Sequence, residues 1–418
     1  MFTANAATCV IAGLATFGVI ARPWNLPEYI WAVTGAVLLV ALDLLPWREA
    51  IAAAGKGADV YFFLVGMMLL AEVARKEGLF DWLAVQAVKR SKQSASRLFA
   101  IVYAVGTLVT IFLSNDATAV VLTPAVYAAT RAAKVEPLPH LFVCAFIANA
   151  ASFVLPISNP ANLVVFGGRM PSLLDWLHYF ALPSVASIVT TFVLLRISQS
   201  DRLKERVDSN DEAVALSRSA AIIAIGIGIT GVVLVAASAV GRDLGLPTFI
   251  CGAVVTAIVL LIARKSPASI LRDVSWSVLL LVAGLFILVE GLNHSGALPA
   301  LADLLKEASA ASPRATFWGA GIVTAIASNL INNLPMGLIA ATTTQAAQVQ
   351  HYITGSTLIA VDLGPNLSIT GSLATILWLI ALRREGEDVS ALRFLKVGAL
   401  VMPPALLLSI LVLSLVAP

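Results

Sequence analysis

The sequence is poor in charge: Asp, Glu, Lys and Arg make up only 12% of its 418 residues, against about 25% in a typical soluble domain. Its three cysteines form no motif, so they predict neither a disulfide framework nor a zinc site, and we expect them to be small buried residues. The phosphate-loop string Gly-x-x-x-x-Gly-Lys-Ser/Thr is missing, as are His-Glu-x-x-His and Gly-x-Ser-x-Gly. These absences argue against an ATPase or a hydrolase, and no cofactor is predicted.

Apolar residues are abundant instead: 59% of the chain is hydrophobic, and the mean hydropathy is +0.92. Ten apolar runs follow one another, the first near Ala6–Ala21 and the last near Leu392–Val416. A helix of about 20 apolar residues crosses a bilayer and satisfies its own backbone. We therefore predict an all-α polytopic membrane protein. No Lys or Arg precedes Arg22, so the first run is expected to be a retained span and not a signal peptide.

Two further apolar blocks, Leu98–Thr130 and Arg314–Gln348, are each interrupted once near the middle by polar residues. The breaks are Ser114-Asn115-Asp116 and Asn332-Asn333. Because each break leaves arms of about 15 residues, shorter than a full crossing, the blocks are predicted to be re-entrant hairpins. Interruptions at corresponding places of two halves indicate the binding site of an inverted-repeat transporter.

The two halves also match outside the hairpins. Gly66, Glu72 and Gly78 recur at a constant offset as Gly284, Glu290 and Gly296, and Asn115-Asp116 recurs as Asn332-Asn333. Five crossings per half place the two copies in opposite orientations. The predicted organisation is a first inverted repeat in residues 1–199, a solvated cytoplasmic linker in 200–219 and a second repeat in 220–418.

The basic residues predict the orientation. When the chain is traced from side to side, 21 of its 27 Lys and Arg residues fall on one face. Short loops rich in Lys and Arg stay in the cytoplasm. Both termini are therefore expected on the outer face of the membrane, and the net charge of +3 gives no indication of nucleic-acid binding.

A second pair of interruptions follows the hairpins, at Leu155–Asn162 and Asp362–Ser372. Pro removes a backbone donor and clashes with the preceding turn, so these Pro, Gly, Asn and Ser clusters predict an unwound helix after each hairpin. An ordinary proline kink is the alternative. Exposed backbone groups at membrane depth are tolerated where they line protein or a water-filled cavity, which makes both segments candidate parts of a site.

The candidate site residues come from these four breaks. The predicted substrate-binding residues are Ser114, Asn115, Ser158, Asn159, Asn162, Asn332, Asn333, Gly364, Asn366, Thr370 and Ser372. A carboxylate within an apolar run is costly unless it is solvated, paired or protonated. Asp116, Asp362 and Glu290 are therefore the candidates for proton coupling, with a backbone cap at the hairpin tip as the alternative role of Asp116.

At these motifs the sequence resembles the arsenite efflux permeases, the ArsB type of the ion-transporter superfamily. The resemblance covers nearly the whole chain, and it is carried by Ser114-Asn115-Asp116, Ser158–Asn162, Ser328–Pro335 and Asp362–Thr375. The resemblance implies a transporter of the inner membrane that exports arsenite and antimonite from the cytoplasm in exchange for protons. It also implies that some members work with a separate soluble ATPase.

The residues are compatible with this substrate. Arsenous acid is mainly an uncharged triol near neutral pH, so Asn, Ser and Thr can bind its hydroxyl groups without an Arg clamp. A site without Arg disfavours multiply charged anions. Three other functions stay open: a sodium/proton antiporter or organic-anion carrier of the same superfamily, a membrane-embedded hydrolase, and a passive channel.

Overall fold

The structure is a computed structural model that describes residues 2–166, 170–208 and 215–416. Within these ranges the chain is built from α-helices joined by short 3-10 and π turns, and its only β pairing is a single bridge between Ser94 and Arg206. The predicted all-α class is confirmed.

The helices of the first half are α1 (Phe2–Ala21), α2 (Glu28–Ala41), α3 (Trp47–Lys56), α4 (Ala58–Lys76), α5 (Leu79–Arg90), α6 (Ala95–Phe112), α7 (Asn115–Ala117), α8 (Thr123–Ala132), α9 (Leu138–Ala150), α10 (Pro160–Phe166) and α11 (Leu173–Ser198). The helices of the second half are α12 (Arg218–Ala239), α13 (Gly245–Ala263), α14 (Pro267–Asp273), α15 (Ser277–His294), α16 (Ala297–Ala311), α17 (Pro313–Ile331), α18 (Asn333–Ala347), α19 (His351–Leu363), α20 (Leu373–Arg384) and α21 (Ala391–Val416).

Seven helices of the described ranges are long and apolar enough to cross a membrane by themselves. Six of them, α1, α11, α12, α13, α15 and α21, coincide with predicted crossings. The seventh is α6, the first arm of a predicted hairpin. The other predicted crossings are the 14-residue α2, the pair α3 and α4 bent by 48°, and two interrupted helices, α9 with α10 and α19 with α20.

Both polar-centred blocks form hairpins. At the base of the first, residues 205–208 bridge its two ends: Ala95 N donates to Glu205 O at the start of α6, and Asp208 N donates to Ala133 O just after α8. Ser309 Oγ donates to Gln350 Oε1 across the base of the second hairpin. The first arms are longer than expected, because α6 has 18 residues and α17 has 19.

The same bonds show that the first part of the linker is not free in solvent. Residues 205–208 lie against the base of the first hairpin. Arg202 forms an ion pair with Glu136, which lies in the loop between α8 and α9. Residues 209–214, also part of the predicted linker, lie outside the described residues.

Two helices that the hydrophobic runs did not predict follow α4 and α15. These are α5 and α16, whose apolar residues occupy one face only, so no continuous run marks them. Gly78 and Gly296 precede them with φ of 77° and 83°. Only glycine adopts this left-handed backbone without strain, which explains why glycine recurs there at a constant offset.

The two halves are interleaved. Helix α2 packs on α15 of the other half, and α13 packs on α4. Matched glycines permit both contacts: a Cβ on Gly66 would lie 2.4 Å from Thr248 O, and one on Gly284 would lie 2.8 Å from the carbonyl carbon of Ala32. Small residues allow helix backbones to approach closely inside a membrane. The repeated glycines therefore have the same packing role in each half.

Candidate functional site

The hairpin tips have an unusual backbone. Ser114 and Asn332 each stand directly before the second arm of their hairpin, with φ of 154° and 74°. Their side chains cap the following turn, since Ser114 Oγ accepts from Ala117 N and Asn332 Oδ1 accepts from Leu334 N. Non-glycine residues in such conformations persist only where the surroundings hold them, and they concentrate at ligand sites.

The two tips meet at one small cavity. Asn115 and Asp116 of the first tip and Asn333 of the second line it, together with Asn159 from the first unwound segment. Apolar residues complete the wall: Leu64, Pro160, Val278, Val282, Leu334, Leu373 and Ala374. Side chains from both tips, from the first unwound segment and from neighbouring helices thus converge at this cavity.

A second, larger cavity continues from the first, since Leu64, Asp116, Pro160, Val278 and Leu373 line both. Its wall is mostly apolar, with Met67, Met68 and Ala71 from α4. Glu72 and Asp273 also line it. The cavity therefore extends from the hairpin tips to two further carboxylates.

The carboxylates of Glu72 and Asp273 both form ion pairs. Arg75 Nη2 lies 2.5 Å from Glu72 Oε1, and Lys76 Nζ lies 2.7 Å from Asp273 Oδ2. The hydrogen bond from Lys76 keeps the pKa of Asp273, the last residue of the short helix α14 outside the spans, below its ordinary value. No Lys or Arg is among the described residues that line either cavity.

Two predicted residues of the first unwound segment bond to backbone. Ser158 Oγ donates to Ile111 O, and Asn162 Nδ2 lies within hydrogen-bond distance of the carbonyls of Ser152, Leu155 and Pro156. Both side chains are buried. They stabilise the non-helical backbone that carries Asn159 to the cavity.

The second unwound segment is braced in the same way. Asn366 Nδ2 donates to Phe146 O, Asn332 Nδ2 donates to Thr370 O, and Ser372 Oγ caps α20 by accepting from Thr375 N. The carbonyl of Gly364 accepts from Asn329, and a Cβ on this glycine would lie 2.7 Å from Ala325 Cα. The structure thus uses these predicted site residues to hold the segment against the second hairpin.

The three candidate carboxylates have different surroundings. Asp116 is half-buried and lines both cavities. Asp362 is fully buried, where its Oδ1 accepts from Asn159 Nδ2 at 2.7 Å and its Oδ2 has no partner among the described residues. Glu290 pairs with Lys56 Nζ at 2.6 Å. Only Asp116 combines a place at a hairpin tip with access to the cavity.

Two asparagines that hydrogen-bond to the second unwound segment were not among the predicted site residues. Asn149 Nδ2 donates to Asn366 Oδ1 at 3.0 Å across the two halves. Asn329 Oδ1 accepts a hydrogen bond of 2.7 Å from Ser368 Oγ. A signal for Asn149 was present, because Asn149 and Asn366 are separated by 217 residues, the offset that also relates the hairpin tips. Asn329 had no such partner, since Phe112 occupies the corresponding position.

Cysteines and metal ligands contribute little to the described site. Cys144 is buried as expected, but Cys251 is half-buried and Cys9 is exposed. The expectation that all three are buried was therefore wrong for Cys9, whose helix places it on the outside of the bundle. The described residues contain no group of three His, Cys, Asp or Glu side chains that could hold a metal ion.

Comparison with known families gives one match to a protein-family model. Residues 12–363 match the family described as "Citrate transporter" (CitMHS). This range covers both hairpins and the first unwound segment, and it ends at the start of the second.

Individual relatives are more distant but extend over almost the whole chain. An arsenical pump membrane protein of Escherichia coli is 25% identical over 402 residues, covering 92% of this chain and 93% of the relative. An uncharacterized transporter of Mycobacterium tuberculosis strain H37Rv is 26% identical over 388 residues, covering 88% and 89%. These matches confirm the resemblance that the polar motifs indicated.

Among solved structures, the YdaH transporter of Alcanivorax borkumensis has a similar fold. The TM-score is 0.56 with 16% sequence identity, and the match covers 88% of this chain and 87% of the other. Its crystal structure is described as having an unusual topology. The similarity supports a multi-pass transporter fold.

Proposed function

From the premise that the chain belongs to the citrate transporter (CitMHS) family of membrane transporters, we propose that it exports arsenite and antimonite from the cytoplasm in exchange for protons. The protein is a transporter and not an enzyme, as its relatives are. Its substrate, coupling ion and direction are the subject of the proposal. No ATPase is needed for this cycle, although the resemblance implies one for some members.

The residues that line the two joined cavities support the proposed substrate. Asn115, Asn159 and Asn333 offer amide donors and acceptors, which suit the hydroxyl groups of an uncharged triol. The charged residues that line the cavities in the described chain are all acidic: Asp116, Glu72 and Asp273. A tricarboxylate such as citrate would meet the carboxylate of Asp116 at the hairpin tip and find no Arg or Lys among the described residues of the cavity wall to bind it. The site therefore favours arsenous acid over the substrate in the family's name.

One observation on the larger cavity supports loading from the cytoplasm. It reaches Glu72 and Asp273, whose partners Arg75 and Lys76 lie on the face that collects most basic residues in the traced topology. Short loops rich in Lys and Arg stay in the cytoplasm, so this face is the proposed cytoplasmic face. We infer that this conformation loads its substrate from the cytoplasm, at the inner membrane, between two inverted repeats of residues 1–199 and 220–418.

Asp116 is the proposed proton carrier. A proton-coupled exporter needs a group that binds a proton from the outside and releases it inside, within reach of the substrate. Asp116 stands at the meeting point of the hairpin tips, next to the asparagines. Asp362, bonded to Asn159, and Glu290, paired with Lys56, are better suited to holding the structure.

Everted membrane vesicles test the proposal, because export appears there as uptake. An inside-acid pH gradient is expected to drive arsenite accumulation, and a proton ionophore should abolish it. A sodium gradient without a pH gradient is the control. Accumulation driven by sodium alone would identify the sodium-coupled alternative. Uptake of labelled citrate without arsenite uptake would identify the organic-anion carrier, and either result would contradict the proposal.

A further inference from the structure

A pair of hydroxyl groups joins the two arms of the first hairpin just beneath its tip. Thr110 Oγ1 on α6 lies 2.8 Å from Thr118 Oγ1, the first residue after α7, and both side chains are fully buried. Thr110 Oγ1 also lies 2.9 Å from Gly106 O, whereas Thr118 Oγ1 lies 3.4 Å from Ser114 O. A hydroxyl group has one proton to donate. The shorter contacts therefore give a chain in which Thr118 donates to Thr110, and Thr110 donates to Gly106 O.

The backbone beside this pair is also unusual. A single π turn covers Thr118–Leu122 and connects α7 to α8. Such turns are rare and occur mostly at functional sites. Asp116 thus lies between two anchored points: Ser114, whose hydroxyl caps Ala117 N, and Thr118, which is bonded to the opposite arm.

The second hairpin lacks the equivalent pair. At the 217-residue offset that relates the tips, Thr110 corresponds to Ala327 and Thr118 to Pro335, neither of which has a hydroxyl group. Its second arm is a continuous α-helix, Asn333–Ala347. Asn333 takes the place of Asp116 there. The hydroxyl pair and the π turn therefore accompany the tip that carries a carboxylate.

We infer that Thr118, acting through Thr110, is a positioning residue that holds Asp116 at the junction of the two cavities. The inference rests on the proposed role of Asp116 in proton coupling. The bond fixes the residue two positions after Asp116 against the opposite arm. Without it, the tip can shift relative to Asn333 and the cavity wall. The carboxylate would then lose its fixed relation to the substrate amides, while the helices of the hairpin stay packed.

Few other ionisable groups face Asp116. Among the described residues of the shared cavities, Glu72 on α4 and Asp273 at the end of α14 are the other titratable groups, and both are paired with Arg75 and Lys76. The remaining wall is apolar or amide: α10 presents Pro160, α15 presents Val278 and Val282, α18 presents Asn333 and Leu334, and α20 presents Leu373, Ala374 and Leu377. A Thr118 variant leaves Glu72 and Asp273 and their ion pairs in place. A change in the pH dependence of transport in such a variant is therefore assigned to Asp116.

The test compares Thr118→Val, which keeps the branched shape but removes the hydroxyl group, with Thr118→Ser, which retains it. Thr130→Val is the matched control, because Thr130 is a buried threonine of the same hairpin whose hydroxyl bonds only within α8. Thr118→Val is expected to lower arsenite accumulation driven by the pH gradient on the order of fivefold, the effect of one lost hydrogen bond. It should also move the pH profile of transport. Thr118→Ser and Thr130→Val should behave as the wild type.

A second measurement does not depend on the substrate. Dicyclohexylcarbodiimide reacts with protonated carboxyl groups in apolar surroundings, and mass spectrometry can follow its reaction with Asp116 as a function of pH. Thr118→Val is expected to shift this labelling profile. If wild-type vesicles transported no arsenite but the labelling shift occurred, the proposed substrate would fail and the positioning role would stand. An unchanged labelling profile in Thr118→Val, or an equal shift in Thr130→Val, would overturn the inference. Thr110→Val removes the other hydroxyl group and should reproduce the effect if Thr118→Val does not reach the membrane.

Discussion

Asn159 and Asp362, 203 residues apart in the chain, are joined by a hydrogen bond of 2.7 Å from Asn159 Nδ2 to Asp362 Oδ1, and both side chains are buried. The bond connects the first unwound segment to the helix that leads into the second. Asn159 also accepts from Ala161 N and lines the cavity at the hairpin tips. One asparagine thus links the cap of α10, the other half of the protein and the candidate binding site.

The first prediction concerns this bond. Asp362→Ala would leave Asn159 Nδ2 buried without an acceptor, and an unsatisfied group of this kind costs about 1–3 kcal/mol. We expect a lower unfolding temperature of the purified protein in detergent. Asp362→Asn keeps an acceptor oxygen, so its unfolding temperature and its transport should change less. An unfolding temperature of Asp362→Ala equal to that of the wild type would show that the bond does not contribute to stability.

The second prediction concerns the hairpin tips. Asn115→Ala and Asn333→Ala each remove an amide that lines the cavity. The loss of one hydrogen bond to the substrate, about 1 kcal/mol, corresponds to a several-fold loss of affinity. The apparent KM for arsenite in vesicles is expected to rise, with membrane insertion unchanged. Asn293→Ala, on α15 next to Glu290, is the control. Wild-type arsenite resistance of both tip variants at equal expression would exclude the tips from the site.

The third prediction concerns Asp116. Asp116→Asn keeps the shape of the side chain but cannot release a proton, so uphill, proton-driven arsenite accumulation should be abolished while some downhill exchange remains. Asp81→Asn, an exposed carboxylate on α5, serves as the control and should transport normally. Full accumulation by Asp116→Asn vesicles would transfer the proton-coupling role to Asp362 or Glu290.

The fourth prediction concerns orientation. Asp201 is exposed in the linker, so a cysteine at this position, in a variant without the native cysteines, should react with a membrane-impermeant reagent only after the cells are opened. A cysteine at Ala4, near the start of α1, should react in intact cells. The reverse pattern would place the linker outside and contradict the proposed direction of export.

The main helices and their interruptions were predictable because they depend on local properties. An apolar run of sufficient length indicates a span, and a Pro, Gly or Asn cluster inside it indicates a break. The amphipathic helices α5 and α16 were missed since half of their surface is polar. The first hairpin arms are longer than predicted for two reasons: Ser94 caps α6, which begins at Ala95, three residues before Leu98, and α17 continues to Ile331, directly before the break at Asn332.

The roles of the individual polar residues could not be read in the same way. Asn159 and Asn162 stand three positions apart in one motif, yet Asn159 faces the cavity and Asn162 binds neighbouring carbonyls. The difference arises because the segment leaves the helical conformation, and a helical or strand periodicity no longer relates its side chains. Asn149, outside every break, enters the network only because α9 packs beside Asn366 of the other half.

The sequence by itself determined the class of the protein, its two similar halves and the four breaks, because hydropathy, helix-breaking residues and a constant offset are all properties of the chain in one dimension. The tertiary structure decided which buried polar groups bind one another and which face open space. That distinction depends on how the halves interleave: Asp362 binds Asn159 within a closed interior, whereas Asp116 lies where two cavities join. Burial and partnership arise from contacts between residues about 200 positions apart in the chain, and no local pattern encodes them.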